Sequence, residues 1–218
     1  MMRITLLALF IIASIIAAPA MRAAGDASSA PPKNALQPAL PANLIRVPLA
    51  RQATDYTCGV AALQSVLGYF GEEVREDALA KQLHSNSKDG TGFAEIVKFA
   101  RKHGYTVTTT TAMTIDALKK QLDARHPVIM LIQAWPERKV NYKTDWDDGH
   151  YVVAVGYDRS NLFFMDPSTL GNYTFIPERE LLDRWHDTDS KMKLQHFGMI
   201  ISKAGAARYD SREAKRMD

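Results

Sequence analysis

One cysteine, Cys58, is the first residue in this sequence whose type and position could support catalysis. The apolar residues after it recur at helical spacing as far as Gly71, which predicts a helix that begins at Cys58. The free N–H groups and partial positive charge at a helix N-terminus favour a thiolate, so Cys58 is a candidate nucleophile. A lone cysteine can also be a small buried apolar residue. Without a second thiol, this chain alone cannot form a disulfide, a cysteine-based zinc finger or an iron–sulfur cluster.

A candidate base and a carboxylate that could orient it lie further along the chain. His150 precedes a continuous apolar run that predicts a buried strand, and Asp166 follows the next predicted strand. The polar turn at 158–161 predicts a hairpin, which places both residues at the same end of neighbouring strands. Asp166 could then hold the imidazole of His150 in one tautomer. Taken singly, His150 could be a loop histidine and Asp166 the start of an Asp-Pro turn.

A candidate oxyanion donor, Gln52, lies on the segment just before Cys58. Its side-chain amide could donate to a developing oxyanion together with the backbone N–H of Cys58. Acyl transfer requires such a pair of donors. Taken alone, a glutamine on a loop is more often simply solvated.

Three segments carry these four residues: QATDYTCGVAAL (52–63), GHYVVAVGY (149–157) and FMDP (164–167). They resemble, in the same order, the motifs of the bacteriocin-processing, double-glycine-leader cysteine peptidases, a papain-like family. The resemblance extends from about residue 47 to about residue 201. It implies a papain-like fold and four roles, which are Cys58 as nucleophile, His150 as base and acid, Asp166 as orienting residue and Gln52 as oxyanion donor.

The resemblance also implies an activity, the hydrolysis of peptide bonds through a cysteine thioester, after Gly-Gly in a leader-type substrate. The expected partner is a peptide or protein, and no cofactor is expected. The best-known members are cytoplasmic domains of export transporters, whereas this chain is more similar to stand-alone, exported members. Two alternatives stay open. One is an amidase or transamidase acting on peptide amides, and the other is a peptide-binding module that serves an exported partner without cleaving it.

The order of predicted elements favours an α+β fold with a helical half packed against an antiparallel sheet. Three further helices are predicted, at 77–83, at 93–103 and from a Thr114 cap to a point before Pro127. Strands are predicted at 105–110, 128–132, 151–157, 162–165, 173–176 and 197–201.

The ends of the chain differ in composition from its middle. Residues 1–20 combine Arg3, an unbroken apolar run and a small-x-small ending, which predicts a signal peptide cleaved after Ala20. An uncleaved anchor is the second interpretation, although a span needs about 20 apolar residues. Residues 21–43 are predicted to be a linker, 44–203 the peptidase domain and 204–218 a charged tail. We expect an exported protein, periplasmic or secreted, without stable membrane insertion after signal cleavage.

Charge and residue spacing exclude other classes of function. The 27 Lys and Arg against 24 Asp and Glu leave a charge of +3, too weak for a nucleic-acid surface. The histidines show no HExxH or paired spacing, so no metal site is expected. The aspartates at 145, 147 and 148 do not form an EF-hand, because His150 occupies the required glycine position. Trp146 is a minor candidate for lining a substrate groove.

Overall fold

The computed structural model describes residues 37–205, 209–214 and 216–217. The predicted signal peptide, most of the predicted linker and parts of the predicted tail lie outside these residues. The boundaries of those segments therefore stay predictions. Within the described residues, no helix is long and apolar enough to cross a bilayer.

The helical half is built around one buried helix, α1. The helices in the described part of the chain are α1 (Cys58–Tyr69), α2 (Glu76–Gln82), α3 (Phe93–Lys102), α4 (Ile115–Asp123) and α5 (Glu178–Arg184). The sequence of α1 is apolar on nearly all sides, so other elements must cover it. The helices α2 and α3 pack against it. The predicted cap of α4 is confirmed, because the Thr114 side chain accepts a hydrogen bond from the backbone N–H of Ala117.

An antiparallel sheet forms the other half. The described strands are β1 (Thr106–Thr110), β2 (Val128–Gln133), β3 (Gly149–Tyr157), β4 (Asn161–Met165), β5 (Thr174–Pro177), β6 (His186–Asp189), β7 (Met192–Gln195) and β8 (Gly198–Ser202). Six of them pair in the order β1-β8-β2-β3-β4-β5, and β6 and β7 form a separate hairpin. Both α1 and α4 pack on β3, which is buried along almost its whole length. The continuous apolar run in this strand is therefore explained by burial on both faces.

The predicted α+β architecture is confirmed, with a helical half against an antiparallel sheet. The four predicted helices and six predicted strands all occur, close to their predicted bounds. Three elements were missed, namely α5, β6 and β7. In α5 only Leu181 is buried, and β6 and β7 have the polar sequences HDTD and MKLQ. Such short segments carry too few apolar residues to show a helical or alternating period.

Candidate active site

His150 and Asp166 lie side by side at one end of the β3–β4 hairpin. The register pairs Val153 with Met165, so β3 runs past the end of β4 and His150 reaches the residue that follows β4. His150 Nε2 lies 2.8 Å from Asp166 Oδ1, and the two side chains are only 7% and 4% exposed. The structure thus brings together the two residues that the predicted hairpin placed at one end.

Two further groups hold the Asp166 carboxylate in place. The indole Nε1 of Trp135 donates to Asp166 Oδ2 at 3.0 Å, and the backbone N–H of Ser168 donates to Oδ1 at 2.8 Å. Trp135 is 58% exposed and has a φ of +59°, a left-handed conformation that non-glycine residues adopt infrequently. Nothing in the position of Trp135 in the sequence points to a contact with Asp166.

The environment of His150 favours its protonated form. Burial by itself would lower the pKa of His150, because it disfavours the charged imidazolium. Hydrogen bonds from the imidazole to Asp166 and Cys58, together with the negative charges of these two groups, outweigh burial and raise the pKa from 6.5 to about 9. The imidazole of His150 therefore carries a proton at neutral pH.

Cys58 is a half-buried free thiol at the first position of α1. The first turn of this helix contains no acidic residue, so no carboxylate of the turn offsets the positive end of the helix dipole at the thiol. The next residue, Gly59, allows a close approach. A Cβ there would lie 2.8 Å from the Cβ of Thr91 and 3.0 Å from Cδ2 of Tyr151. Because Gly59 has no side chain, α1 can pack near β3 and bring Cys58 to His150.

Gln52 is tied to the loop that follows Asp166. Its backbone N–H donates to the carbonyl of Pro167 at 3.0 Å, and its Oε1 accepts from Ser168 Oγ at 3.3 Å. Ser168 Oγ is also 3.5 Å from His150 Nε2, so Gln52 lies beside the His150–Asp166 pair. The Gln52 Nε2 donates to the Thr54 carbonyl at 2.7 Å. An amide nitrogen carries two hydrogens, so one of them remains for a substrate oxygen.

A cleft of about 330 Å³ opens beside Cys58. Trp146, the minor candidate from the sequence, lines this cleft together with Tyr151 and residues of β6. Gly149 and Asp187 lie close together at this cleft, because a Cβ added at Gly149 would be only 2.2 Å from both carboxylate oxygens of Asp187. The strand β6, which the sequence did not reveal, therefore contributes one wall of the site.

Comparison with known proteins assigns the chain to a family. The model of the Peptidase_C39 like family matches residues 44–192, which is more than half of the chain. The chain belongs to this family. The C39-like match spans the three motifs that carry Cys58, His150, Asp166 and Gln52, and it confirms the resemblance seen in the sequence. Comparison with the curated proteins gives no match.

Three solved structures share the fold of this C39-like chain. The peptidase domain of Streptococcus ComA, a bi-functional ABC transporter of a quorum-sensing pathway, is 21% identical with a TM-score of 0.55, covering 73% of this chain and 98% of that domain. A double-glycine-motif protease of an AMS/PCAT transporter, solved in complex with the leader peptide, is 21% identical with a TM-score of 0.52. The match covers 72% of this chain and 92% of that protease chain. A protein described as a C39-like peptidase from Bacillus anthracis is 20% identical with a TM-score of 0.58, covering 73% and 97%. These likenesses confirm the predicted papain-like peptidase fold.

Proposed function

We propose that this C39-like chain is an active cysteine peptidase whose nucleophile is Cys58. The observation that carries the proposal is the buried His150–Asp166 pair, whose imidazole interacts electrostatically with the Cys58 thiol at the start of α1. In this arrangement His150 keeps the thiol ionised and later supplies a proton, while Asp166 fixes the ring and stabilises its charged form.

The proposed reaction has two steps. In the first, the Cys58 thiolate attacks the carbonyl carbon of the scissile peptide, and the oxyanion accepts hydrogen bonds from the Gln52 amide and the Cys58 backbone N–H. The C–N bond then breaks as His150 donates its proton to the leaving amine, which leaves a thioester on Cys58. In the second step, His150 takes a proton from a water molecule that attacks the thioester, and the peptide acid and the thiolate are released.

The substrate is proposed to be a peptide or protein and, more specifically, one with a leader that ends in Gly-Gly. Support comes from the AMS/PCAT protease, which was solved with a leader peptide. The apolar segment of residues 1–20 supports the further proposal that the chain is exported.

The direct test is to map new peptide termini that appear when the purified protein acts on a peptide library. Cys58 is the only cysteine, so alkylation to one added group per chain modifies this residue alone and provides the matched inactive sample. We expect cleavages, enriched after Gly-Gly, that disappear on alkylation. Cleavage that survives complete alkylation would contradict the proposal, and cleavage after other residues would contradict only the Gly-Gly preference.

The two alternative functions give different products. A transamidase would transfer the acyl group to an added primary amine, and mass spectrometry would detect the cross-linked peptide. A binding module would release no peptide, and its thiol would react with an alkylating probe at the slow rate of a free cysteine. A thiol activated by His150 should instead react faster with the probe than a free cysteine does under the same conditions.

Hydrolysis should persist to about pH 9 and decline above it, because the leaving amine takes its proton from His150, whose pKa is raised to about 9. Asp166→Asn retains an acceptor beside the imidazole and removes a negative charge that raises this pKa. The decline in kcat/KM, measured between about pH 6 and 10, should therefore move to lower pH. Asp116→Asn, at an exposed position on α4, serves as the control and should leave the profile unchanged. An alkaline decline at the same pH in Asp166→Asn would contradict the assignment.

A further inference from the structure

The cleft beside Cys58 is strongly acidic. Lys88 is the one cationic side chain among the described residues that line it. Five aspartates line the same cleft, namely Asp55, Asp89, Asp147, Asp187 and Asp189. Of the five, only Asp147 has an ion-pair partner among the described residues, the exposed Arg138 at 3.8 Å. The lining therefore carries an excess of negative charge. Two cations beside the lining offset it only in part, namely His150, whose charge lowers the pKa of Asp187, and Lys193, whose Nζ lies 4.3 Å from the centre of the Trp146 ring.

Two of these carboxylates are held in fixed positions at the inner part of the cleft. Asp187 Oδ1 accepts from the backbone N–H of Thr188 at 2.7 Å and from Gln133 Nε2 at 3.3 Å. Asp189 Oδ2 accepts from the backbone N–H of Phe93, the first residue of α3, at 2.7 Å. These donors are neutral, so they orient the carboxylates without cancelling their charge.

Burial makes the charge on Asp187 costly. Asp187 is only 8% exposed, and burial, as the largest cause, raises its pKa to about 6. The charge of Asp189 raises the pKa further, whereas the hydrogen bonds from Thr188 and Gln133 and the charge of His150 lower it. At neutral pH Asp187 is therefore mainly ionised in surroundings that disfavour an unpaired charge. A cation placed in the cleft would relieve this cost.

A second, independent feature of the same cleft is the hydroxyl of Tyr151. The residue is 5% exposed, and its Oη has no hydrogen-bond partner within the described structure. Burial raises the pKa of Tyr151, and the charges of Asp189, Cys58 and Asp187, which line the same cleft, raise it further. Tyr151 itself lines the cleft. A buried hydroxyl without a partner is uncommon, and here it is a free group for a ligand that enters between the carboxylates and Cys58.

We propose that this cleft binds the cationic side chain of a lysine or arginine close to the scissile bond of the substrate. The proposal rests on the proposed peptidase function and adds a class of substrate to it. The ammonium or guanidinium would donate to the carboxylates of Asp187 and Asp189, and the Tyr151 hydroxyl would pair with a neighbouring polar group of the bound peptide. Trp146 lines the same cleft, and its ring is held there by the His186 ring, with centroids 4.4 Å apart, and by Lys193 Nζ at 4.3 Å from its centre.

The test compares three peptide series that differ in only one residue, at the first or second position after the scissile bond, because the proposed Gly-Gly preference fixes the two positions before it. That residue is lysine, its uncharged isostere norleucine, or glutamate. At the position that faces the cleft, kcat/KM should be about tenfold higher for lysine than for norleucine, as expected for a charge-assisted hydrogen bond in a partly dry site, and lowest for glutamate.

Variants connect this preference to the cleft. Asp187→Asn keeps an oxygen that can accept from Thr188 and Gln133, and it should reduce the ratio of lysine to norleucine to about twofold. Asp55→Asn, at an exposed position on the rim, should reduce the ratio by a smaller factor and is not expected to disturb folding. Asp116→Asn removes one negative charge outside the cleft and should leave the ratio unchanged.

Equal kcat/KM for lysine and norleucine at every position, or a lysine preference that both Asp187→Asn and Asp55→Asn retain, would overturn the proposal and leave the peptidase function standing. If no peptide is cleaved, the proposed function fails. The cationic cleft is then tested separately, by calorimetric measurement of peptide binding to the Cys58→Ala protein. Tighter binding of the lysine peptide than of the norleucine peptide would then support the cationic cleft. Equal binding would overturn it.

Discussion

Replacing Cys58 by alanine should abolish peptide hydrolysis, with kcat reduced by at least about 10⁴-fold, and leave the fold intact. The loss is large because the chain has no second thiol and the thioester cannot form without one. The stability should change by no more than about 1 kcal/mol, since Cys58 is half-buried and alanine fits at the start of a helix. Rates from a cleaved peptide and the Tm from a thermal scan measure the two effects.

The matched control for this prediction is Ser65→Ala, a substitution in the same helix away from the thiol. Ser65 Oγ donates to the Pro48 carbonyl at 2.7 Å, so Ser65→Ala should lower stability by about 1 kcal/mol and retain hydrolysis. Loss of hydrolysis without loss of stability in Cys58→Ala, and the reverse in Ser65→Ala, would distinguish a catalytic effect from an effect on folding. Measurable turnover by Cys58→Ala would show that another group is the nucleophile.

Gly149→Ala should be the most disruptive single methyl addition at the site. Its new Cβ would lie 2.2 Å from both carboxylate oxygens of Asp187, and His150 is the next residue of the strand. The buried Asp187 side chain, β6 or the start of β3 must move, so we expect a loss of about 1–3 kcal/mol in the free energy of unfolding. Because catalytic geometry tolerates little displacement, kcat should fall at least about tenfold. Denaturant unfolding and steady-state rates measure both.

Two variants test the cause of this effect. In Gly92→Ala, the added Cβ would lie 3.8 Å and 3.9 Å from the Asp189 carboxylate oxygens, an ordinary contact, and its φ of −69° suits alanine, so stability should change by less than about 0.5 kcal/mol. Combining Gly149→Ala with Asp187→Ala should destabilise by less than the sum of the single changes, because the clash is then absent. If the losses of stability in the two single variants add up fully in the double variant, the added methyl group destabilises the protein through contacts other than that with Asp187.

The sequence was sufficient to predict the parts of the molecule that have strong local patterns. The apolar run of β3 and the turn at 158–161 determined the hairpin, and the hairpin brought His150 to Asp166. Similarly, the spacing after Cys58 predicted α1. In each case the signal is periodic burial or turn chemistry, which depends on residues that are close in sequence.

The remaining parts of the site depend on contacts between distant segments with weak local patterns. The polar strand β6 contributes Asp187 to the cleft, and it packs so close to β3 that a Cβ added at Gly149 would lie 2.2 Å from the Asp187 carboxylate oxygens. Trp135 reaches Asp166 from the loop after β2 through a left-handed backbone that no motif marks. The orientation of Gln52 depends on Pro167 and Ser168, which follow it far along the chain.

The placement of the four candidate catalytic residues on separate segments has a consequence for when the protein can act. Cys58 begins α1, His150 lies near the start of β3, Asp166 follows β4, and Gln52 precedes α1. An unfolded or half-folded chain therefore contains an ordinary thiol and an ordinary imidazole that are not in contact. The proposed hydrolysis is a property of the completed fold alone. The last tertiary contact to form would set the moment of activation.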